Sequence, residues 1–302
     1  MKIFLKKSFF LSVFFFPVVL FCFPVHNTGA AVIVRFAVWG NNLELDKYKT
    51  DLIKLILDNS ELDYDLYYCT YPGGHGLQIE RLKKGLITVQ SFGASKQLEE
   101  ELIPIRIPIF KGLAGYRIFL INKNDQYKFQ KIDRLEDLKE LVGILGEGWL
   151  DIQILQDAGL PQKTTEILAI YKMLNRGGRI DYFSRAIYET FGEFQMLKSS
   201  YPNLAIEKRI LLIYPFAMYF YVSPKYPEIA EKLNAGFHKL VQNGEFDKFF
   251  YKNNYIRSSI INSQLDKRIK FHIPNNYLSL QTQNLPGKYW FNMNIFLEYK
   301  DH

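Results

Sequence analysis

Residue types that support catalysis are few and scattered in this sequence. The histidines stand far apart, at positions 26, 75, 238, 272 and 302, and the cysteines are Cys22 and Cys69. No serine nucleophile elbow, His-Glu-x-x-His or Cys-x-x-Cys occurs, so nothing indicates nucleophilic or zinc chemistry. The glutamates at positions 99–101 belong to a charged run that is typical of a solvated surface. We therefore expect a protein without catalytic residues, bound metal or cofactor.

One arginine stands where a binding site for an anion is expected. Arg185 follows a predicted strand at residues 180–183 and precedes a predicted helix. The N-terminus of a helix attracts anions, and a guanidinium beside it adds charge and hydrogen-bond donors. The same pattern also fits an exposed surface arginine, or one that forms an ion pair with Asp181 or Glu189. We predict Arg185 as a ligand-binding residue, with these alternatives open.

Glycine-rich turns and tryptophans supply the other binding candidates. A Gly-Glu-Gly-Trp turn joins a predicted strand to a predicted helix, where Gly148 lets a ligand approach the backbone and Trp149 can stack on a ring. His75 lies in a Pro-Gly-Gly-His-Gly turn that lacks the Gly-Lys-Ser/Thr ending of a phosphate-binding loop. Trp39 ends the first predicted strand. Both are expected at the same cleft, although a solvated loop for His75 and a packing role for Trp39 fit equally well.

The hydrophobic pattern predicts the elements that would position these residues. Strand, helix, strand, helix and strand follow one another over residues 32–92, which predicts a parallel sheet with right-handed crossovers. An extended segment with Pro104 and Pro108 leads into a second α/β alternation, and the apolar run 211–222 returns from it. We predict an α/β protein of two lobes joined by two crossings, with a cleft between them where small ligands bind.

The N-terminus has the three parts of a secretory signal. Residues 1–30 contain three lysines and an uncharged apolar run, and small residues at 27–31 allow cleavage after Ala30 or Ala31. The apolar run is shorter than the roughly 20 residues of a spanning helix, and Pro17 interrupts it. Cys22 follows Phe21, so the small residue that lipid attachment requires is missing. We expect a cleavable signal peptide and release into the periplasm, with an uncleaved membrane anchor as the alternative.

The remaining chain has the composition of a globular protein, with 48% hydrophobic residues in the full sequence. The net charge of +7 falls to +4 without the three signal lysines, and no basic block stands out, so no nucleic-acid partner is expected. Once the signal is removed, Cys69 has no other cysteine in the chain with which to form a disulfide. We also expect the protein to be a monomer. The predicted division is a signal peptide (1–30), a first lobe (31–112 and 215–256), a second lobe (113–214) and a C-terminal extension packed on the first lobe (257–302).

A set of short motifs resembles, in order and spacing, the bacterial extracellular solute-binding proteins of family 3. These are type II periplasmic binding proteins, and the similarity is greatest to a transporter substrate-binding domain subgroup. The motifs are IPIFKGLAGYR at 107–117, LEDL at 135–138, GEGW at 146–149, ILQDAGL at 154–160, GRIDYFSR at 178–185, YPF at 214–216 and NGEFD at 243–247. The resemblance implies two lobes, hinged near residues 111–115 and 213–216, that close on a ligand without bond-making chemistry.

The chain departs from that family at the positions that would name its ligand. Amino-acid binders of the family hold the ligand carboxylate with an arginine in the segment after the third strand, and the aligned residue here is Leu98. Leucine cannot form a bidentate ion pair, whereas the nearby Lys96 offers a point charge without the fork of an arginine. The family's acidic residue for the ligand amino group aligns with Ala186. The resemblance therefore implies the fold and leaves the ligand class open.

Three functions are compatible with this reading. The first is a binding protein that passes a small polar or anionic solute to a membrane permease, as amino-acid transport systems do. The second is a sensory or adaptor module that acts on a partner. The third is a periplasmic enzyme built on the same fold, such as a dehydratase. We favour the first, because convergent acid–base groups are not evident in the sequence.

Overall fold

A computed structural model describes residues 31–40 and 42–300 of the chain, so the predicted signal peptide lies outside the described residues. The strands in this part are β1 (Val32–Val38), β2 (Tyr64–Thr70), β3 (Val89–Gly93), β4 (Ile103–Ile105), β5 (Tyr116–Asn122), β6 (Gly143–Gly146), β7 (Gln162–Thr165), β8 (Tyr182–Ala186), β9 (Leu204–Ile206), β10 (Ile210–Ile213), β11 (Met218–Val222) and β12 (Ile269–His272).

The helices of the described residues connect or follow these strands. They are α1 (Leu43–Asp58), α2 (His75–Lys83), α3 (Lys96–Glu101), α4 (Gln126–Phe129), α5 (Leu135–Leu138), α6 (Asp151–Asp157), α7 (Ile167–Arg176), α8 (Ile187–Leu197), α9 (Pro227–Gln242), α10 (Glu245–Lys252), α11 (Asn254–Ser263), α12 (Leu280–Gln283) and α13 (Met293–Lys300). None of them has both the length and the apolar character that crossing a membrane requires.

The first lobe is built on a sheet with the strand order β2-β1-β3-β11-β4. β1 pairs in parallel with β2 and β3, which confirms the parallel sheet predicted from the strand–helix alternation. β11 comes from much later in the chain and lies antiparallel between β3 and β4. Helix α1 begins where the Asn42 side chain accepts a hydrogen bond from the Leu45 N–H at 3.0 Å, and it buries Leu52 and Ile53 completely. Such a cap stabilises a helix by about 1 kcal/mol.

The second lobe is built on a sheet with the strand order β12-β10-β5-β8-β6-β7, and β9 pairs with β5. β6 lies parallel to β7 and β8, whereas β5 is antiparallel to β8 and β10. Because β6 and β8 run in the same direction, their carboxyl ends meet at one edge of the sheet. This edge carries the turn after Gly146 and, beside it, Arg185. The two lobes and their sheets confirm the predicted fold class.

The two crossings predicted from the sequence are both present, and they are bonded to each other. The Tyr214 N–H donates to the carbonyl oxygen of Gly115 at 3.1 Å. On the first crossing, the ring of Phe110 stacks on Tyr48 of α1 (centroids 4.8 Å apart) and on Tyr188 of α8 (4.1 Å). The crossings and the aromatic stack therefore join a helix of the first lobe to a helix of the second.

The C-terminal extension was predicted to pack on the first lobe, and the structure divides it between both. β12 pairs in parallel with β10 and so extends the second sheet. Farther along, the Ser279 and Thr282 hydroxyls donate to Glu99 of the first lobe at 2.8 and 2.9 Å. The reason for the error is that β10, the edge strand that accepts β12, stands about 60 residues away in the sequence, so no local pattern reveals their pairing.

Candidate functional site

A cavity of about 1140 Å³ opens between the lobes. Ligand cavities commonly span about 300–1,000 Å³, so this one is slightly larger than the usual range and has ample room for a small molecule. Five of the residues predicted from the sequence line it, namely Trp39, His75, Gly148, Trp149 and Arg185. They come from both lobes and from four separate regions of the chain.

Lys96 is not brought to this cavity with the others. Its side chain is exposed, and it borders a smaller recess of about 300 Å³ together with Ser95 and Tyr277. Leu98, two residues on, does line the main cavity and contributes an apolar wall. The lysine that could replace the missing arginine thus lies in a side recess, which shares Ser95 and Leu150 with the main cavity, and does not line the main cavity itself.

Arg185 lies in β8, one residue before the strand ends, and 5% of its surface is exposed. Its Nε donates to Glu193 at 2.8 Å and its Nη2 donates to the other oxygen of the same carboxylate. Nη2 also lies 3.2 Å from Glu189, whereas Asp181 is bonded to Lys128. Of the alternatives left open by the sequence, the structure therefore shows the ion pair with Glu189, and it adds Glu193. The guanidinium is held in place as part of a buried cluster.

A second buried arginine lies near Arg185, on the neighbouring strand at the same end of the second sheet. Arg117 of β5 is 4% exposed and donates through Nη2 to Asp151, which also accepts the hydroxyl of Tyr214. Asp151 is the first residue of α6, where a carboxylate also interacts favourably with the helix N-terminus. The arginine lies over Tyr214 and Phe216, 5.5 Å from each ring centroid. This pair ties the second crossing to the turn that carries Trp149.

Aromatic rings form much of the remaining wall. Trp39 and His75 stack with centroids 6.2 Å apart, and His75 meets the ring of Phe92 edge-on at 4.9 Å. Burial lowers the pKa of His75, so the imidazole is neutral at pH 7 and offers hydrogen bonds without charge. Across the cleft, Trp149 lies over the backbone of Gly146, where an added Cβ would come within 2.5 Å of the indole.

Gly148 has a φ of +75°, in the left-handed region that glycine adopts without strain. An added Cβ there would meet nothing within 4 Å, so the glycine is required by its backbone conformation rather than by crowding. The turn it forms is the strand-to-helix turn predicted from the sequence, between the end of β6 and the start of α6.

Lys49 is a cavity-lining residue that the sequence analysis missed. It lies on α1 with 5% of its surface exposed, and within the described chain it forms no hydrogen bond or ion pair. Burial lowers its pKa, and Asp46 and Glu189 oppose that shift from a distance. The sequence pattern could have revealed Lys49, because it occupies the inward-facing helical position four residues after Leu45, where an apolar residue is expected. Arg117, inside an apolar strand, carries the same kind of signal.

The chain is similar to known proteins in structure. No protein-family model and no curated protein sequence matches it. An ancestral arginine-binding protein bound to arginine is similar in structure, with a TM-score of 0.55 and 18% identity over 74% of this chain and 98% of that one. An amino acid ABC transporter substrate-binding protein from Streptococcus pneumoniae, bound to L-arginine, has a TM-score of 0.53 and 15% identity over 73% and 93%.

A histidine kinase sensor domain with similarity to periplasmic binding proteins is equally close. It has a TM-score of 0.53 and 16% identity, and the match covers 74% of this chain and 96% of that one. At these identities the matches show a shared fold. The chain thus has the two-lobed fold of the type II periplasmic binding proteins, which confirms the resemblance seen in its sequence motifs at the level of fold.

Proposed function

We propose that this protein is an exported solute-binding protein that captures a small polar or anionic solute between its lobes without making or breaking covalent bonds. The observation that supports this most is the interlobe cavity of about 1140 Å³, lined by residues of both lobes. In this proposal residues 1–30 are a cleaved signal peptide, the protein acts in the periplasm as a monomer, and a membrane permease receives the solute.

The ligand in this proposal contacts the residues that the fold gathers in the cleft. Trp39 and His75 provide one wall and Trp149 the other, and Gly148 allows close approach to the backbone. Arg185 contributes indirectly, because its ion pairs with α8 hold the face of the second lobe against which Trp149 lies. Its guanidinium carbon is 5.0 Å from the Trp149 ring.

Intrinsic fluorescence tests the proposal, because two of the three tryptophans line the cavity. Titration with amino acids, organic acids and sugars should reveal a solute that changes emission and raises the melting temperature. Trp149→Ala should weaken its binding, whereas Trp290→Ala, whose ring lies against Gly112 outside the cavity, should retain the affinity. Absence of any response across the panel would refute the binding function.

A sensory module is the second candidate, and the similarity to a histidine kinase sensor domain favours it. Such a module would transmit lobe closure to a partner instead of delivering a solute. Uptake of the labelled solute by cells that lack the protein distinguishes the two. Lost uptake supports transport, and unchanged uptake with an altered transcriptional response supports sensing.

A further inference from the structure

The charged groups of the cleft differ in whether the protein itself neutralises them. The carboxylates Asp151, Glu189 and Glu193 all interact with arginines of the second lobe. Each of these carboxylates therefore already has an arginine partner before a solute enters. Because two arginines face three carboxylates, this part of the cleft carries one negative charge in excess.

Lys49 is the cation that remains, and it stands on the opposite lobe. Its ammonium group lines the cavity without a hydrogen bond or ion pair to the described residues. Burying a charged group without a partner is unfavourable, and a charge-assisted hydrogen bond to an anion would remove that cost. A ligand oxygen is the partner that this position lacks.

We propose that Lys49 anchors an anionic group of the solute, which makes the ligand a small monocarboxylic acid. The inference rests on the proposed binding function and names the ligand class of the same site. A single negative charge fits because Lys49 is the one cavity-lining cation without an ion pair among the described residues. The other charged side chains that line the cavity include more carboxylates than cations, so a second negative charge on the solute would be repelled. Recognition of the acid then resides on α1, whereas the sequence analysis placed the anion site at Arg185 and offered Lys96 of α3 as a further point charge.

Titration calorimetry of the exported protein tests this with a panel of monocarboxylates such as lactate and benzoate, each paired with its amide, alongside succinate, citrate, amino acids and sugars. We expect at least one monocarboxylate to bind, and its amide and the polyanions to bind at least tenfold more weakly. Lys49→Met should lower the affinity at least tenfold. Lys54→Met is the matched control, because Lys54 lies on the same helix, exposed and 2.6 Å from Asp58.

Several results would overturn the proposal that Lys49 anchors the acid. One is equal binding of acid and amide, and another is equal affinity of the Lys49 and Lys54 variants. The acid–amide comparison uses the unaltered protein, so it still tests the proposal if Lys49→Met folds poorly. Binding of sugars alone would refute the anchor and leave the binding function intact, whereas a lack of binding by every solute would refute both.

Discussion

Arg185 shows how far the role of one residue depends on its neighbours. Its place before a helix suggested an open anion site, yet Glu193 and Glu189 occupy its donors. Burial acts to lower the pKa of Arg185, but the two carboxylates raise it well above its usual value, so the group remains charged. The residue is best understood as the centre of a buried ionic cluster.

Arg185→Met should destabilise the protein, because it leaves two carboxylates buried without their cation. Removing one partner of a buried pair costs about 3–5 kcal/mol. Arg134→Met is the control, since Arg134 is exposed and lies 3.4 Å from Asp137, and such surface pairs contribute about 0–1 kcal/mol. Urea unfolding of both variants measures the difference. Equal losses would show that the Arg185 cluster does not stabilise the fold.

The charge of Lys49 makes binding of an acid dependent on pH. Burial lowers the pKa of Lys49, with Arg185 acting in the same direction and Asp46 and Glu189 opposing. Only the protonated amine attracts an anion, so affinity should fall as pH rises through this lowered pKa, below the usual lysine value of about 10.4. Lys49→Arg keeps its charge to pH above about 12 and should give a flat profile over this range. A flat profile for the unaltered protein would contradict the assignment.

The two crossing segments are the elements on which the arrangement of the lobes depends. Gly115 lies against the backbone of the second crossing, and a Cβ there would be 1.8 Å from the Tyr214 carbonyl oxygen. A backbone atom cannot move aside as a side chain can, so any larger residue separates the crossings.

Gly115→Ala is therefore expected to destabilise the protein by about 3 kcal/mol or more, the upper end of overpacking costs. Gly287→Ala is the matched control, because nothing lies within 4 Å of an added Cβ there. Thermal melting of the two variants compares them. A Gly115→Ala variant as stable as the control would mean that the close approach of the crossings is not required.

At the scale of the whole molecule, the C-terminal extension links the lobes. The carbonyl of Tyr277 accepts the Lys96 N–H of the first lobe at 2.8 Å, and its hydroxyl donates to Asp157 of the second lobe at 2.8 Å. One residue thus bonds to both lobes while β12 extends the second sheet. This arrangement restrains the lobes from separating.

Tyr277→Phe removes the bond to Asp157 and leaves the backbone bond in place. Without ligand, the variant should sample larger lobe separations than the unaltered protein. Pulsed electron paramagnetic resonance between spin labels at positions 84 and 163, one in each lobe, measures this in a Cys69→Ser background. Tyr127→Phe, a change at an exposed tyrosine of the second lobe, is the control. Identical distance distributions for both variants would show that the hydroxyl does not restrain opening.

Much of the architecture could be predicted because it follows from local patterns. The alternation of strands and helices, the two crossings and the turn at Gly148 depend on hydrophobic periodicity and glycine placement. The position of Trp39 and His75 at the cleft followed from their place at strand and helix ends. Lys49 and β12 were missed, since a lysine on a helix usually points to solvent and a short edge strand has no local signal for its partner.

By itself, the sequence determined a two-lobed α/β chain and the residues that end its strands at the cleft, because these depend on neighbours only a few positions away. Only the tertiary structure decided which cleft charges are neutralised. Arg185 is bound by a carboxylate two turns into the following helix, and Lys49 lines the same cavity from the other lobe with no ion pair to the residues that the structure describes. Electrostatic pairing depends on distances of a few ångströms between separate elements, and packing alone sets these distances.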